Sequence, residues 1–321
     1  MTPAQASRHR SGRARGALMA LVAGLCVTGV APAKQLYEYV DEHGIRHFTD
    51  VPPVTDAPVK ATRVRVDPSP LVRLETRGDG GQASTVWVHS RFAGPLEVEL
   101  ALTEVRNALA EPLLPRRVVL APRGSVQVTR VRSHDPYQDA AWRVEVVAVP
   151  GDPRSAPDPT ARYRLPLPSG TRYAIAQAFG GGFSHGDEQN YHAVDLGVAE
   201  GTPVLAARDG IVIHVERDFF ESGQDRRLGD RANMVRVLHE DGTMAVYAHL
   251  AFESVLVREG SVVLAGQRLG AAGATGFATG PHLHFVVQRN EGLRLVSIPF
   301  RFDGPDGAWT PEAGERWRLA P

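Results

Sequence analysis

The segment GPHLHF, residues 280–285, sets two imidazoles, His282 and His284, two positions apart in a short apolar run. On a β-strand the side chains at i and i+2 project from the same face, so both rings would enter one pocket. Two readings are open at this level: a metal site, or a solvated strand face in a chain that holds 12 histidines. Upstream stand, in order, YHAVDLGVAEGTPV (191–204), which contains Asp195, and YAHL (247–250), which contains His249. A catalytic zinc has about four ligands in a tetrahedron, three from protein and the fourth a water whose pKa falls to about 7. The single cysteine, Cys26, lies in an N-terminal apolar run, so a metal elsewhere would have to sit on His, Asp or Glu.

The elements that must position these side chains read as strands. With 32 glycines and 24 prolines among 321 residues, and short alternating apolar runs, the chain is expected to be mainly β. Residues 1–33 read as a signal peptide: Arg8, Arg10, Arg13 and Arg15 precede the apolar run ALMALVAGLCVTGV, and APA at 31–33 offers small residues for cleavage. That run is about 14 residues, short of a membrane span, so an exported chain with no stable membrane insertion after cleavage is expected, placed in the periplasm. The formal net charge is zero, which leaves no electrostatic case for nucleic acid. Residues 34–58 read as a β-hairpin module turning at DEHG, with Gly44 at the bend and His43 and His47 as turn and strand-face residues. It resembles a small periplasmic hairpin module. Residues 59–150 hold short strands at sandwich-like spacing, with Trp87 and Trp142 expected in its core. A proline-rich linker at 151–164 leads to a glycine-punctuated β domain at 165–303, which carries the chemistry, and a C-terminal tail at 304–321.

Asp195 in AVDLGVAEGTPV, His249 in YAHL and the pair in GPHLHF resemble, in that order, the motifs of the lysostaphin-like (LytM-type, glycyl-glycine) zinc endopeptidases. The resemblance covers roughly 130 residues, the C-terminal part only, and implies a duplicated-hybrid-motif β-sheet fold with a groove for cell-wall peptide. Carried over position by position, it implies that Asp195 and His284 ligate Zn2+, while His282 and His249 act as general base and oxyanion stabiliser. One departure stands out: the family's remaining histidine ligand falls four residues before the aspartate, where this chain has Tyr191. His185, in the loop GGFSHGDEQN, is the preferred replacement. His192 is the alternative, although its odd separation from Asp195 would turn it to the opposite strand face. Asn233 and Tyr247 are open between groove-lining, core and backbone-capping roles. The implied function is a zinc-dependent endopeptidase that hydrolyses peptide cross-links of peptidoglycan, with its peptide stems as the partner. The alternative is a non-catalytic relative that binds wall or activates a separate amidase partner.

Overall fold

The computed structural model describes residues 35–49, 52–63, 67–78, 83–314 and 318–321; the expected signal peptide, with Cys26, lies outside the described residues. Among the described residues no helix is long and apolar enough to cross a membrane. The mainly β fold expected from the sequence is observed: among the described residues the one helical element is a single 3₁₀ turn, Arg226–Leu228.

Strands β1 (Gln35–Val40), β2 (Arg46–Thr49) and β3 (Lys60–Arg63) form a small antiparallel sheet in the order β2-β1-β3. Its turn closes with Asp41 N–H donating to the Ile45 carbonyl, and Gly44 takes the positive φ, 77°, that the tight bend requires. His47 stacks on Tyr39, and its Nε2 lies 2.7 Å from an Asp41 carboxylate oxygen.

Seven strands follow: β4 (Val72–Gly78), β5 (Ala83–Ser90), β6 (Leu96–Arg106), β7 (Ala108–Glu111), β8 (Arg116–Leu120), β9 (Ser125–Ser133) and β10 (Ala141–Pro150). They make two sheets, β4-β5-β9-β7 and β10-β6-β8, whose inner faces bury Val86, Val88, Leu96, Val98, Leu100 and Val128. Alternation along β5 decides which residues reach that core. Val86 and Val88 point inward, so Trp87 does not: it lies half-buried on the outer face, with the Arg77 guanidinium 4.8 Å from its ring centroid. The expectation of a core Trp87 is therefore corrected, whereas Trp142 does pack against the core cluster.

The C-terminal part contributes β11 (Arg172–Gln177), β12 (Val194–Gly197), β13 (Pro203–Leu205), β14 (Gly210–Glu216), β15 (Ser222–Gly223) and β16 (Met234–Leu238). It continues with β17 (Met244–Ala248), β18 (Val262–Val263), β19 (Arg268–Ala271), β20 (Gly276–Phe277), β21 (His282–Asn290), β22 (Leu295–Ser297) and β23 (Arg318–Leu319). Nine of these strands form one sheet in the order β18-β14-β16-β17-β21-β12-β11-β23, with β22 added beside β21.

This sheet is two-faced because its strands alternate. Val194, Leu196, Val235, Val237, Ala245, Tyr247, Leu283, Phe285 and Val287 all face the main core. The intervening residues Asp195, Arg236, Val246, Ala248, His284, Val286 and Gln288 face the other way. At one end of that second face Met244 and Ile213 are buried in the sandwich's own cluster, so the sandwich packs on the sheet and leaves the histidine end clear.

Tyr247 is fully buried, and its hydroxyl accepts a hydrogen bond from the Ala207 N–H at 2.7 Å. Tyr247→Phe should lower stability by about 1–3 kcal/mol, because the Ala207 N–H would be left buried without an acceptor. Denaturant unfolding measures this, and an unchanged midpoint and slope would show that the bond contributes nothing.

Candidate metal centre and active site

The register of β12, β21 and β17 builds the site. Asp195 lies opposite His284, Gly197 opposite His282, and Ala248 opposite His284 from the other side. His284 Nδ1 is 2.9 Å from Asp195 Oδ1. The other carboxylate oxygen accepts a hydrogen bond from Gln177 Nε2 at 2.6 Å, and Gln177 sits opposite Asp195 on β11. Gln177 also reaches into the loop after β11, donating to Ser184 Oγ and accepting from the Phe183 N–H. No motif marked it in the sequence.

That loop folds back over the strand ends and delivers His185. The Gly180 N–H donates to the Tyr191 carbonyl and the His185 N–H to the Gly181 carbonyl, which closes the loop on itself. The imidazole of His185 is fully buried, and its Nδ1 lies 3.0 Å from the Ala178 carbonyl. A carbonyl only accepts, so Nδ1 carries a proton and Nε2 points inward; burial opposes charging of the ring, but Asp195 and the Ala178 carbonyl outweigh it and raise the imidazole above its ordinary value. Nε2 sits 3.2 Å from Asp195 Oδ1 yet makes no hydrogen bond. An imidazole nitrogen and a carboxylate oxygen held this close in a buried site share a cation, a proton or a metal ion. A ring nitrogen tied to a backbone carbonyl is also how metal-binding histidines are oriented. One donor atom from each of His185, Asp195 and His284 lies within 4.8 Å of the others, so these three side chains fit a metal ion.

His192 goes elsewhere. Its backbone N–H donates to Ser297 Oγ at 3.0 Å, its Nδ1 lies 3.1 Å from the Ser297 carbonyl, and its ring packs edge-on to Phe179.

The remaining two imidazoles stand at the edge of the trio. His282 Nδ1 lies 2.8 Å from the Gly280 carbonyl, and its Nε2 is 3.8 Å from Asp195 Oδ1, farther than the corresponding atoms of His185 and His284. His249 follows β17, where regular alternation would send it toward the core face after Ala248. Its backbone instead takes φ of 60°, an uncommon left-handed value for a residue with a Cβ. The bend brings its ring to 4.5 Å, centroid to centroid, from that of His282, while its Nδ1 lies 2.7 Å from the Thr275 carbonyl. Gly273 locks the two segments together: its N–H donates to the His249 carbonyl and its carbonyl accepts from the His282 N–H. A Cβ there would lie 2.6 Å from the Ala251 Cα, so the position has no room for a side chain.

Burial, the largest influence on Asp195, opposes its ionisation, but the adjacent imidazoles of His185 and His284 outweigh it and hold the carboxyl far below the usual range. Burial, reinforced by His282 and His284, pulls the His249 imidazole down to about 3. His249 is thus a neutral ring with its Nε2 lone pair free. It can donate to an oxyanion only after it has taken up a proton.

Asn233 and Tyr247 have capping roles. Asn233 accepts from the Phe219 N–H and donates to the Phe219 and Leu250 carbonyls. A cavity of 1110 Å³ opens over the site face and takes in Asp195, His249, His282 and His284, with Phe92 and Pro150 on its wall.

Residues 23–77 match a domain of unknown function, DUF4124, and residues 189–294 match Peptidase family M23. The chain is 37% identical over 120 residues to an uncharacterized metalloprotease of Haemophilus influenzae, covering 37% of this chain and 23% of that protein. It is 36% identical over 97 residues to the peptidoglycan DD-endopeptidase ShyA of Vibrio cholerae, covering 30% of this chain and 20% of that one. The chain thus spans about a fifth of the length of these curated relatives. Among solved structures, the catalytic domain of the antimicrobial peptidase lysostaphin from Staphylococcus simulans is 26% identical, covering 44% of this chain and 87% of that one with a TM-score of 0.28. The segment 189–294, which matches Peptidase family M23, holds Asp195, His249, His282 and His284, and His185 lies just before it.

Proposed function

We propose that this protein is a zinc-dependent endopeptidase of the periplasm that hydrolyses peptide cross-links of peptidoglycan, with residues 165–303 as its catalytic unit. The observation that carries this reading is the buried, hydrogen-bond-free Nε2 of His185 facing Asp195 beside His284, with two further imidazoles at the rim. The relative named as a peptidoglycan DD-endopeptidase supports the substrate.

His185, Asp195 and His284 would hold the zinc ion. Zinc in such a site supplies Lewis acidity toward a carbonyl oxygen and toward water. The protein side chains handle the protons. His282, with Nδ1–H held by the Gly280 carbonyl, presents its Nε2 lone pair to the site and takes the proton of the attacking water, then returns it to the leaving amine. His249 accepts a hydrogen bond at Nε2 in its neutral state and helps to aim that water. As the carbonyl is attacked, the second proton of that water passes to His249 Nε2, which donates it as a hydrogen bond to the developing oxyanion and then yields it to the leaving amine.

The test is to measure zinc content and muropeptide release from isolated cell walls side by side. The wild-type mature chain should hold about one zinc and release muropeptides, with both lost on chelation. His185→Ala should deplete zinc and abolish release, whereas His192→Ala should leave most of both, since its ring is engaged by Ser297. The reverse pattern would make His192 the ligand. Zinc binding with no hydrolysis would favour the wall-binding reading.

A further inference from the structure

Arg236 is on the site face of β16 and is only 8% exposed. Its Nη1 donates to Gln288 Oε1 at 2.6 Å, and the amide nitrogen of Gln288 is occupied by the Gln189 carbonyl, which fixes the oxygen toward the guanidinium. Nε is buried and has no acceptor. No carboxylate among the described residues forms an ion pair with it, and burial alone pulls its pKa down to about 10. Arginine nevertheless stays protonated at neutral pH, so the sheet buries a cation that lacks a counter-charge. Buried charges are ordinarily paired, because desolvation without a partner is strongly unfavourable.

The position of this cation relates it to the chemistry. Arg236 borders the same cavity as Asp195, His249, His282 and His284. It lies opposite Val246, which lies opposite Val286, two residues beyond His284. Two strand spacings and a two-residue step put the Arg236 and His284 backbones roughly 12 Å apart. The floor between them is the small apolar cluster of Val246, Ala248 and Val286. A peptide laid across this floor would set a small apolar group over the valines and an anionic group at the guanidinium.

We propose that Arg236 recognises a free carboxylate on the bound peptide, about three residues from the scissile bond, through the part of its guanidinium that borders the cavity. This deepens the peptidase reading and rests on it for the orientation of the peptide. A planar guanidinium without a counter-charge matches a carboxylate better than any neutral acceptor, and its existing bond to Gln288 preorganises it.

The test uses the full mature chain and two synthetic stem peptides, one with free carboxylates and one with those carboxylates converted to amides. Wild type should bind the acid about tenfold or more tightly than the amide. Arg236→Met should bring the two affinities together, and Arg236→Lys should retain part of the preference. Thermal unfolding in the absence of peptide checks folding, where Arg236→Met should be as stable as wild type or more so, since it removes a buried unpaired charge. Equal binding of acid and amide by wild type, or an undiminished preference in folded Arg236→Met, would overturn the proposal. Hydrolysis by wild type is measured on the same peptides. Cleavage without acid-over-amide discrimination defeats this inference and leaves the peptidase reading intact, whereas carboxylate-dependent binding without cleavage defeats the peptidase reading and keeps the Arg236 site.

Discussion

His284→Ala is expected to release the zinc and to abolish wall hydrolysis. His284 is one of three side chains whose donor atoms lie within 4.8 Å of one another, and its Nδ1 is 2.9 Å from Asp195 Oδ1. Removing it leaves His185 and Asp195, and two protein donors cannot supply the affinity of a tetrahedral site. Loss of a residue that merely orients a ligand already costs about 10–100-fold in metal affinity, so loss of a ligand should exceed about 100-fold. The substitution leaves the main core intact, because Leu283 and Phe285, its neighbours on β21, face the opposite side of the sheet. The variant should therefore fold, which thermal unfolding verifies, while metal analysis reports its zinc. A folded His284→Ala protein that kept one zinc per chain would sink the ligand assignment.

His282→Ala should separate the two functions that the HLH segment combines. Its Nε2 is 3.8 Å from Asp195 Oδ1, and its Nδ1–H is engaged by the Gly280 carbonyl, so it sits beside the trio rather than within it. Zinc should remain near one per chain. Hydrolysis should fall by about 10²–10⁴-fold, the usual range for losing a positioned general base. Equal zinc loss in His282→Ala and His284→Ala would mean that both rings are ligands and that the base lies elsewhere, with His249 the next nearest imidazole at 4.5 Å from His282.

Several features of this architecture were legible because they depend on local chain geometry. The period-2 pattern of β21 places His282 and His284 on one face and Leu283 and Phe285 on the other, and any regular strand would do the same. The glycine at the DEHG turn and the short strand lengths follow likewise from backbone sterics and local patterning. The same alternation, applied to β5, would have placed Trp87 outside between Val86 and Val88. An aromatic residue's preference for burial pointed the other way and was the wrong guide.

That the chain is mainly β, and which strand residues share a face, could be read from the amino acids alone, since both are set within a few residues by sterics and alternation. The tertiary structure decided which residues meet. His185 reaches Asp195 because a loop closes through Gly180 and Tyr191 and because Gln177 ties that loop to the strand. His249 reaches His282 because its backbone leaves the strand at positive φ and Gly273 bridges the two segments. Arg236 looks in sequence like any exposed strand arginine; that it is buried and lacks a carboxylate depends on what β14, β17 and β21 bring beside it. Contacts of this kind join residues up to a hundred positions apart, so they depend on sheet order and register, which no local pattern encodes.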